Sequence, residues 1–137
     1  IEQGGISAED IISLCKMLKQ AGVDLIDVSS GETFETSKPL YGRMYQTPFS
    51  DKIRNEVGVK TMAVGNIYEA DHVNSILMAG RADLVAIGRP HLSDPYWTNH
   101  IAAENGDRQQ NWPKPYEHGK QQYWQLLDKS SQKEKAT

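Results

Sequence analysis

Apolar residues follow two alternating patterns along this chain of 137 residues. In some segments they recur every three or four positions, which is the spacing of an amphipathic helix. Between these segments lie three short apolar runs, at residues 25–28, 61–64 and 83–87, which are typical of buried strands. The predicted order is helix, strand, helix, strand, helix, strand, helix. Such alternation favours an α/β fold in which right-handed crossover helices join parallel strands.

Residues that begin and end helices punctuate this pattern. Ser7 and Gly22 stand where the first helix needs an N-cap and a residue that ends it. The Thr-Pro pair at 47–48 predicts an N-cap followed by proline at the first position of the second helix. The run at 66–69 has the spacing of a capping box, which predicts that the third helix follows directly.

Composition narrows the class of protein. The net charge of −3 gives no electrostatic reason to bind nucleic acid or an anionic membrane. No apolar run approaches the roughly 18 residues that cross a bilayer, and no signal-peptide pattern opens the chain. Cys15 is the only cysteine, which excludes an internal disulfide and a cysteine-based metal cluster. We therefore expect a cytoplasmic protein that binds small molecules and has neither nucleic acid nor membrane as a partner.

The second and third predicted strands both end in glycine. Gly65 is followed by Asn66, and Gly88 is followed by Arg89. Glycine lets the backbone approach an anion closely, and arginine adds a planar fork of donors that suits phosphate. Because parallel strands end at the same edge of a sheet, the two corners are predicted to hold one ligand phosphate. Without further information, a glycine and an arginine after a strand also fit an ordinary turn with a solvated side chain.

The connection at residues 31–46 is long for a strand-to-helix link, and long loops are often functional. It carries the cations Lys38 and Arg43. One hypothesis is that these two side chains recognise an anionic substrate such as a coenzyme A thioester. The alternative is a solvated basic loop.

Several runs together resemble the old yellow enzymes, which are FMN-dependent ene-reductases built on a TIM barrel. The resemblance rests on VDLIDVSSG at 23–31, AVGN at 63–66, GRADLVAIGR at 80–89 and DPYW at 94–97. The resemblance extends over roughly residues 5 to 105. Within the family, the chain is similar to the bacterial NADPH dehydrogenase branch. The resemblance implies that the three strands are the sixth, seventh and eighth of the barrel, where phosphate sites are common.

The resemblance also implies a cofactor and a reaction. Family members bind FMN through the glycine and arginine that correspond to Gly88 and Arg89. Gly65 and Asn66 would add backbone N–H groups at a helix N-terminus. NADPH or NADH would be the hydride donor, and an activated alkene would be the substrate. Residues 41–50 are similar to the reductase half of salicylyl-CoA or aminobenzoyl-CoA monooxygenase-reductases, which again points to a CoA thioester.

The same resemblance implies that part of the family's machinery is missing. The His/His or His/Asn pair that polarises the substrate carbonyl in this family, and the tyrosine that commonly donates a proton, have no counterparts at matching positions in this chain. Three parallel strands would also leave open sheet edges, and the chain begins without methionine. These observations predict a fragment of a TIM barrel that is inactive alone and forms a homo-oligomer.

Two regions are predicted. Residues 1–105 form the C-terminal βα units of a flavin-binding TIM barrel, and residues 106–137 form a polar tail. The tail either packs a few aromatic side chains on the domain and frays after Lys129, or docks on a neighbouring subunit. Two alternatives to this interpretation are another phosphate-binding TIM-barrel protein and a non-catalytic half-barrel that serves oligomerisation.

Overall fold

The computed structural model describes residues 5–30 and 41–134. The chain divides into two compact units, an N-terminal unit (Ile1–Arg89) and a C-terminal unit (Pro90–Thr137). In chain order the elements are α1 (Ala8–Gln20), β1 (Leu25–Val28), α2 (Thr47–Val57), β2 (Lys60–Ala63), α3 (Ala70–Met78), β3 (Leu84–Val85), α4 (Arg89–Ser93), α5 (Trp97–Glu104), a 3-10 turn (Lys114–Tyr116) and α6 (Glu117–Glu134).

The three strands of the N-terminal unit form one parallel sheet. They pair in the order β1-β2-β3, with Ala63 in register with Val85. The predicted α/β class is confirmed, and so is the alternation of helices and strands through β3. β3 is shorter than the predicted 83–87, because only two residues pair as a strand. All three strands end at one side of the sheet, which we call the carboxyl edge.

Local signals fix both ends of α1. The Ser7 hydroxyl accepts a hydrogen bond from the Asp10 N–H at 3.2 Å, and Asp10 Oδ2 accepts one from the Ser7 N–H at 2.9 Å. This reciprocal capping box satisfies N–H groups at the start of the helix. Gly22 lies just past the helix with φ of +94°, in the left-handed region that favours glycine. Both predicted boundaries are confirmed.

Two other predicted helix starts are wrong, because tertiary contacts override the local pattern. Gln46 is the N-cap of α2, and Thr47 is already helical. α3 begins at Ala70 with Glu69 as its N-cap, so no helix follows Asn66 directly. The Asn66 side chain makes a contact outside the helix, described below, and is not available for capping.

Two apolar clusters stabilise the N-terminal unit. The first joins α1, β1 and α2, and the second joins β2, α3 and the segment before β3. Their buried members are Ile12, Cys15, Val28, Ile53, Val57 and Val59 in the first, and Ala63, Ile67, Ile76 and Ala82 in the second. Burial raises the pKa of the Cys15 thiol, which favours the protonated, unreactive form.

An ion pair joins α2 to the amino end of β3. Arg54 Nε lies 3.0 Å from Asp83 Oδ2, and Arg54 Nη2 lies 3.2 Å from Asp83 Oδ1. Asp83 Oδ2 also accepts the N–H of Thr61 on β2 at 3.0 Å. The hydrogen bond from Arg54 is the main reason that the pKa of Asp83 lies below its usual range. One carboxylate thereby links a helix and two strands at the edge opposite the carboxyl edge.

We expect Asp83→Asn to lower the free energy of unfolding by about 1–2 kcal/mol at pH 7, because the bidentate contact with Arg54 is lost. The contribution of this carboxylate is fully present above its unfolded pKa of about 3.9 and disappears as the pH falls through the lower folded pKa. Urea unfolding of both forms from pH 7 downward measures this difference. It should narrow once the pH drops below about 4.

Asp51→Asn is the matched control for that prediction. Arg81 holds Asp51 through a single nitrogen, Nε, at 3.0 Å, and the Asp51 side chain is 37% exposed against 26% for Asp83. An exposed pair of this kind contributes about 0.5 kcal/mol. Equal losses in the two variants would contradict the special role assigned to Asp83.

An aromatic cluster forms the centre of the C-terminal unit. Tyr96 stacks on Trp112 with centroids 6.3 Å apart, and the His100 ring lies 4.9 Å from Tyr123. The expectation that the chain frays after Lys129 is wrong, because α6 continues to Glu134. The predicted boundary at 105/106 stays a prediction. None of the helices within residues 5–30 and 41–134 has the length and hydropathy to cross a bilayer.

Candidate functional site

Two adjacent corners at the carboxyl edge contain most of the predicted site residues. Corner 1 (residues 64–66) follows β2, and corner 2 (residues 87–89) follows β3, its paired neighbour. A hydrogen bond of 2.8 Å from the Ala86 N–H to the Ala63 carbonyl continues the pairing beyond β3. The structure thus places on one edge the four residues Gly65, Asn66, Gly88 and Arg89.

Corner 1 requires glycine at position 65. Gly65 has φ of +114°, a conformation that residues with a Cβ rarely adopt. A Cβ built on Gly65 would overlap Nε2 of Gln46 and lie 2.9 Å from Cε1 of Tyr45. The corner is therefore a tightly packed bend of the backbone. The prediction that this corner lies at a helix N-terminus is wrong, because α3 begins only at Ala70.

The Asn66 side chain holds the neighbouring loop. Asn66 also has a positive φ, +50°. Its Nδ2 donates to the Gly42 carbonyl at 3.0 Å, and its own carbonyl accepts the N–H of Met44 at 3.2 Å. The two bonds fix the backbone on both sides of Arg43. Asn66 thus has a structural role through its side chain, which leaves its backbone N–H for a ligand.

Corner 2 is open and positively charged. Gly88 is exposed, and a Cβ placed on it would meet no atom within 4 Å. Arg89 is exposed and begins α4. Within the part of the chain that the structure describes, no carboxylate or carbonyl contacts the Arg89 guanidinium. None of the described residues therefore competes with an anion for this cation.

Unpaired backbone donors occur at both corners. The N–H groups of Gly65, Asn66, Gly88 and Arg89 have no acceptor among residues 5–30 and 41–134. Successive N–H groups in bent backbone form concave sites for anions, and a guanidinium adds charge-assisted hydrogen bonds. The chemistry of these donors suits a phosphate group.

The predicted substrate residues are only partly visible. Lys38 lies outside the described residues. Arg43 is exposed, has no partner within the described part of the chain, and lies in the turn that Asn66 holds. The structure therefore places one of the two predicted cations next to corner 1.

Sequence reasoning misses Gln46, which connects the ends of two strands. Its side-chain oxygen accepts the N–H of Ser30, just past β1, and its Nε2 donates to the Val64 carbonyl at 3.1 Å, just past β2. No local sequence signal indicates this role of Gln46. The Thr-Pro pair that follows it favours Thr47, and not Gln46, as the N-cap of the helix. Its burial, at 4% exposed, is visible only in three dimensions.

Comparison with known proteins assigns these corners to a family. Residues 1–108, which include both corners, match the model of the NADH:flavin oxidoreductase / NADH oxidase family. The chain belongs to this family. The implied cofactor is FMN, whose terminal phosphate is the kind of group that the unpaired N–H donors and Arg89 fit.

Several members of the flavin oxidoreductase family that carry the name NADPH dehydrogenase are similar to this chain. The protein of Geobacillus thermodenitrificans is 41% identical over 115 residues, which cover 84% of this chain and 33% of that protein. The protein of Listeria monocytogenes serotype 4a is 39% identical over 113 residues, 82% of this chain and 33% of its own length. The protein of Halalkalibacterium halodurans is 40% identical over 104 residues, which cover 76% of this chain and 30% of that protein. The chain spans about a third of the length of these curated relatives.

Proposed function

We propose that this chain binds FMN, with the cofactor phosphate held jointly by Gly65 and Asn66 of corner 1 and by Gly88 and Arg89 of corner 2. One observation carries the proposal: paired parallel strands bring to the same edge N–H groups and a guanidinium that have no partner among the described residues. In this proposal the three strands are the sixth to eighth of a TIM barrel. Phosphate commonly binds to the loops after the seventh and eighth strands of that fold.

The whole protein is proposed to act as an NAD(P)H-dependent flavin oxidoreductase. Bound FMN supplies the hydride chemistry, from NADPH or NADH to an activated alkene. The residues of this chain bind and orient the cofactor through its phosphate. We propose that they do not by themselves reduce an alkene, because the resemblance places the carbonyl-polarising His/His or His/Asn pair and the proton donor outside these 137 residues.

Comparing FMN with riboflavin tests the proposed binding site, because riboflavin is the same ligand without the phosphate. We expect the purified protein to bind FMN at least about tenfold more tightly than riboflavin, since charge-assisted hydrogen bonds to phosphate contribute about 1.5–3 kcal/mol. Quenching of flavin fluorescence measures both dissociation constants. Equal affinities would show that no phosphate site exists at the corners. NADPH-dependent reduction of an activated alkene by these 137 residues with added FMN would refute the proposal that they do not catalyse this reaction by themselves.

The loop beside corner 1 is proposed to recognise an anionic substrate. The exposed Arg43 is held next to corner 1 by the two hydrogen bonds to Asn66. The bonds hold the backbone on both sides of Arg43, and its guanidinium, which has no partner within the described residues, is suited to a phosphate or carboxylate. Lys38 would add a second positive charge. A coenzyme A thioester of an unsaturated acid carries both an activated alkene and several phosphates.

We expect the double substitution Lys38→Ala and Arg43→Ala to raise KM for an unsaturated CoA thioester by about tenfold in the whole protein, because charge-assisted contacts to substrate phosphate are lost. KM for a small neutral enone should not change. Lys16→Ala removes an exposed cation from α1 and is the charge control. Steady-state kinetics with both substrates measures the effect. Equal changes for the thioester and the enone would end the hypothesis.

A further inference from the structure

Gln46 is buried against corner 1 although its side chain is polar. It is 4% exposed. Its side-chain oxygen accepts the Ser30 N–H, and its Nε2 donates to the Val64 carbonyl at 3.1 Å. A single amide therefore spans the exits of β1 and β2, and both of its polar ends are used.

Gly65 packs directly against this amide. A Cβ added to Gly65 would overlap Nε2 of Gln46 and lie 3.0 Å from its Cδ. Gln46 thus fills the space towards which Gly65 could otherwise move. The hydrogen bond to Val64 fixes the preceding carbonyl from the same side chain. Together these two restraints set the position of the Gly65 peptide.

The adjacent residue, Thr47, provides a matched comparison. Thr47 is also buried, at 0% exposed, and lies in the first turn of α2. Its hydroxyl, however, has no hydrogen-bond partner among the residues that the structure describes. Both positions bury a polar side chain, but of the two only Gln46 connects the ends of β1 and β2.

We propose that Gln46 is a positioning residue for the cofactor phosphate. Its amide sets the spacing between the exits of β1 and β2 and holds the Gly65 N–H at the carboxyl edge. The inference rests on the proposed function, because it requires that corner 1 contacts the phosphate. Gln46 acts through Gly65 and Ser30 and does not touch the ligand. Loss of its amide therefore weakens the hold on the phosphate and spares the contacts to the flavin ring.

The Gln46→Met variant tests this inference because it keeps the length of the side chain and removes both hydrogen bonds. We expect the ratio of the riboflavin to the FMN dissociation constant, which isolates the phosphate, to fall by about tenfold. Gln46→Asn keeps an amide that is too short to reach both Ser30 and Val64, and should behave like Gln46→Met. Thr47→Val, the control, should keep the ratio within about twofold of wild type. Flavin fluorescence quenching of the purified proteins measures both constants.

The possible outcomes separate this inference from the proposed function. A wild-type ratio in Gln46→Met, with both affinities retained, would overturn the inference and leave the FMN site intact. A wild-type protein that does not distinguish FMN from riboflavin would refute the proposed function itself. Equal losses of both affinities, or failure of both Gln46 variants to fold, would show that Gln46 serves folding alone, which also overturns the inference.

Discussion

Gly65→Ala is expected to weaken FMN binding by about 100-fold or more and to lower the free energy of unfolding by about 2–4 kcal/mol. The φ of +114° at Gly65 is strained for any residue with a Cβ. The new methyl group would also overlap Nε2 of Gln46 and approach Cε1 of Tyr45 to 2.9 Å. The Gln46 amide is buried and hydrogen-bonded to Ser30 and Val64, so relief of the overlap displaces either this amide or the backbone of corner 1. The N–H groups of corner 1 would then leave the position in which they meet the phosphate.

Gly22→Ala separates backbone strain from crowding. Gly22 has a similar φ of +94°, but a Cβ built there meets nothing within 4 Å. We expect this control to lose about 1 kcal/mol of stability and to bind FMN with unchanged affinity. Urea unfolding and calorimetric titration with FMN measure the two effects. If the Gly65 and Gly22 variants behave alike in both experiments, the tight packing at corner 1 has no role in binding.

Arg89→Met is expected to weaken FMN binding by about 10- to 100-fold while riboflavin binding stays unchanged. Arg89 is exposed and unpaired within the described part of the chain, so its removal breaks no internal contact there. The folded state should therefore keep its stability, and the loss should appear in binding alone. Titrations with both flavins, together with thermal unfolding, measure this separation.

Two further variants control the Arg89 prediction. Arg89→Lys keeps the charge but loses the planar fork of donors, and its affinity for FMN should be intermediate. Lys16→Met removes an exposed cation from α1 and should leave FMN affinity unchanged. A similar loss in Lys16→Met and Arg89→Met would mean that overall charge, and not a contact at corner 2, controls binding.

The strands and the two corners could be predicted because their signals are local. A short apolar run that ends in glycine reports a buried strand and a turn within a few residues, as it does before Gly65 and Gly88. The capping box at Ser7 is equally local, since its partner is three residues away. Parallel pairing then follows from the alternation of helices and strands.

The connections that hold the corners could not be predicted, because they join residues far apart in sequence. Gln46 contacts the exits of two strands across 16 and 18 positions, and Asn66 reaches Gly42 across 24. No periodic pattern encodes such contacts. The spacing at 66–69 favours a capping box with Asn66 as the N-cap. The Asn66 side chain instead donates a hydrogen bond to the Gly42 carbonyl and does not cap the helix. α6 is hard to predict for a different reason: its residues are mostly polar, and its apolar positions are confined to a short run in the middle of the helix.

Amide NMR with FMN tests the central claim most directly, because it reports on each N–H group of the two corners. We expect FMN to shift the backbone resonances of Gly65, Asn66, Gly88 and Arg89 together, with a single binding constant. Riboflavin should leave these four resonances nearly unchanged. FMN shifts confined to one corner, or to residues outside both, would contradict the claim that paired strands hold one phosphate between them.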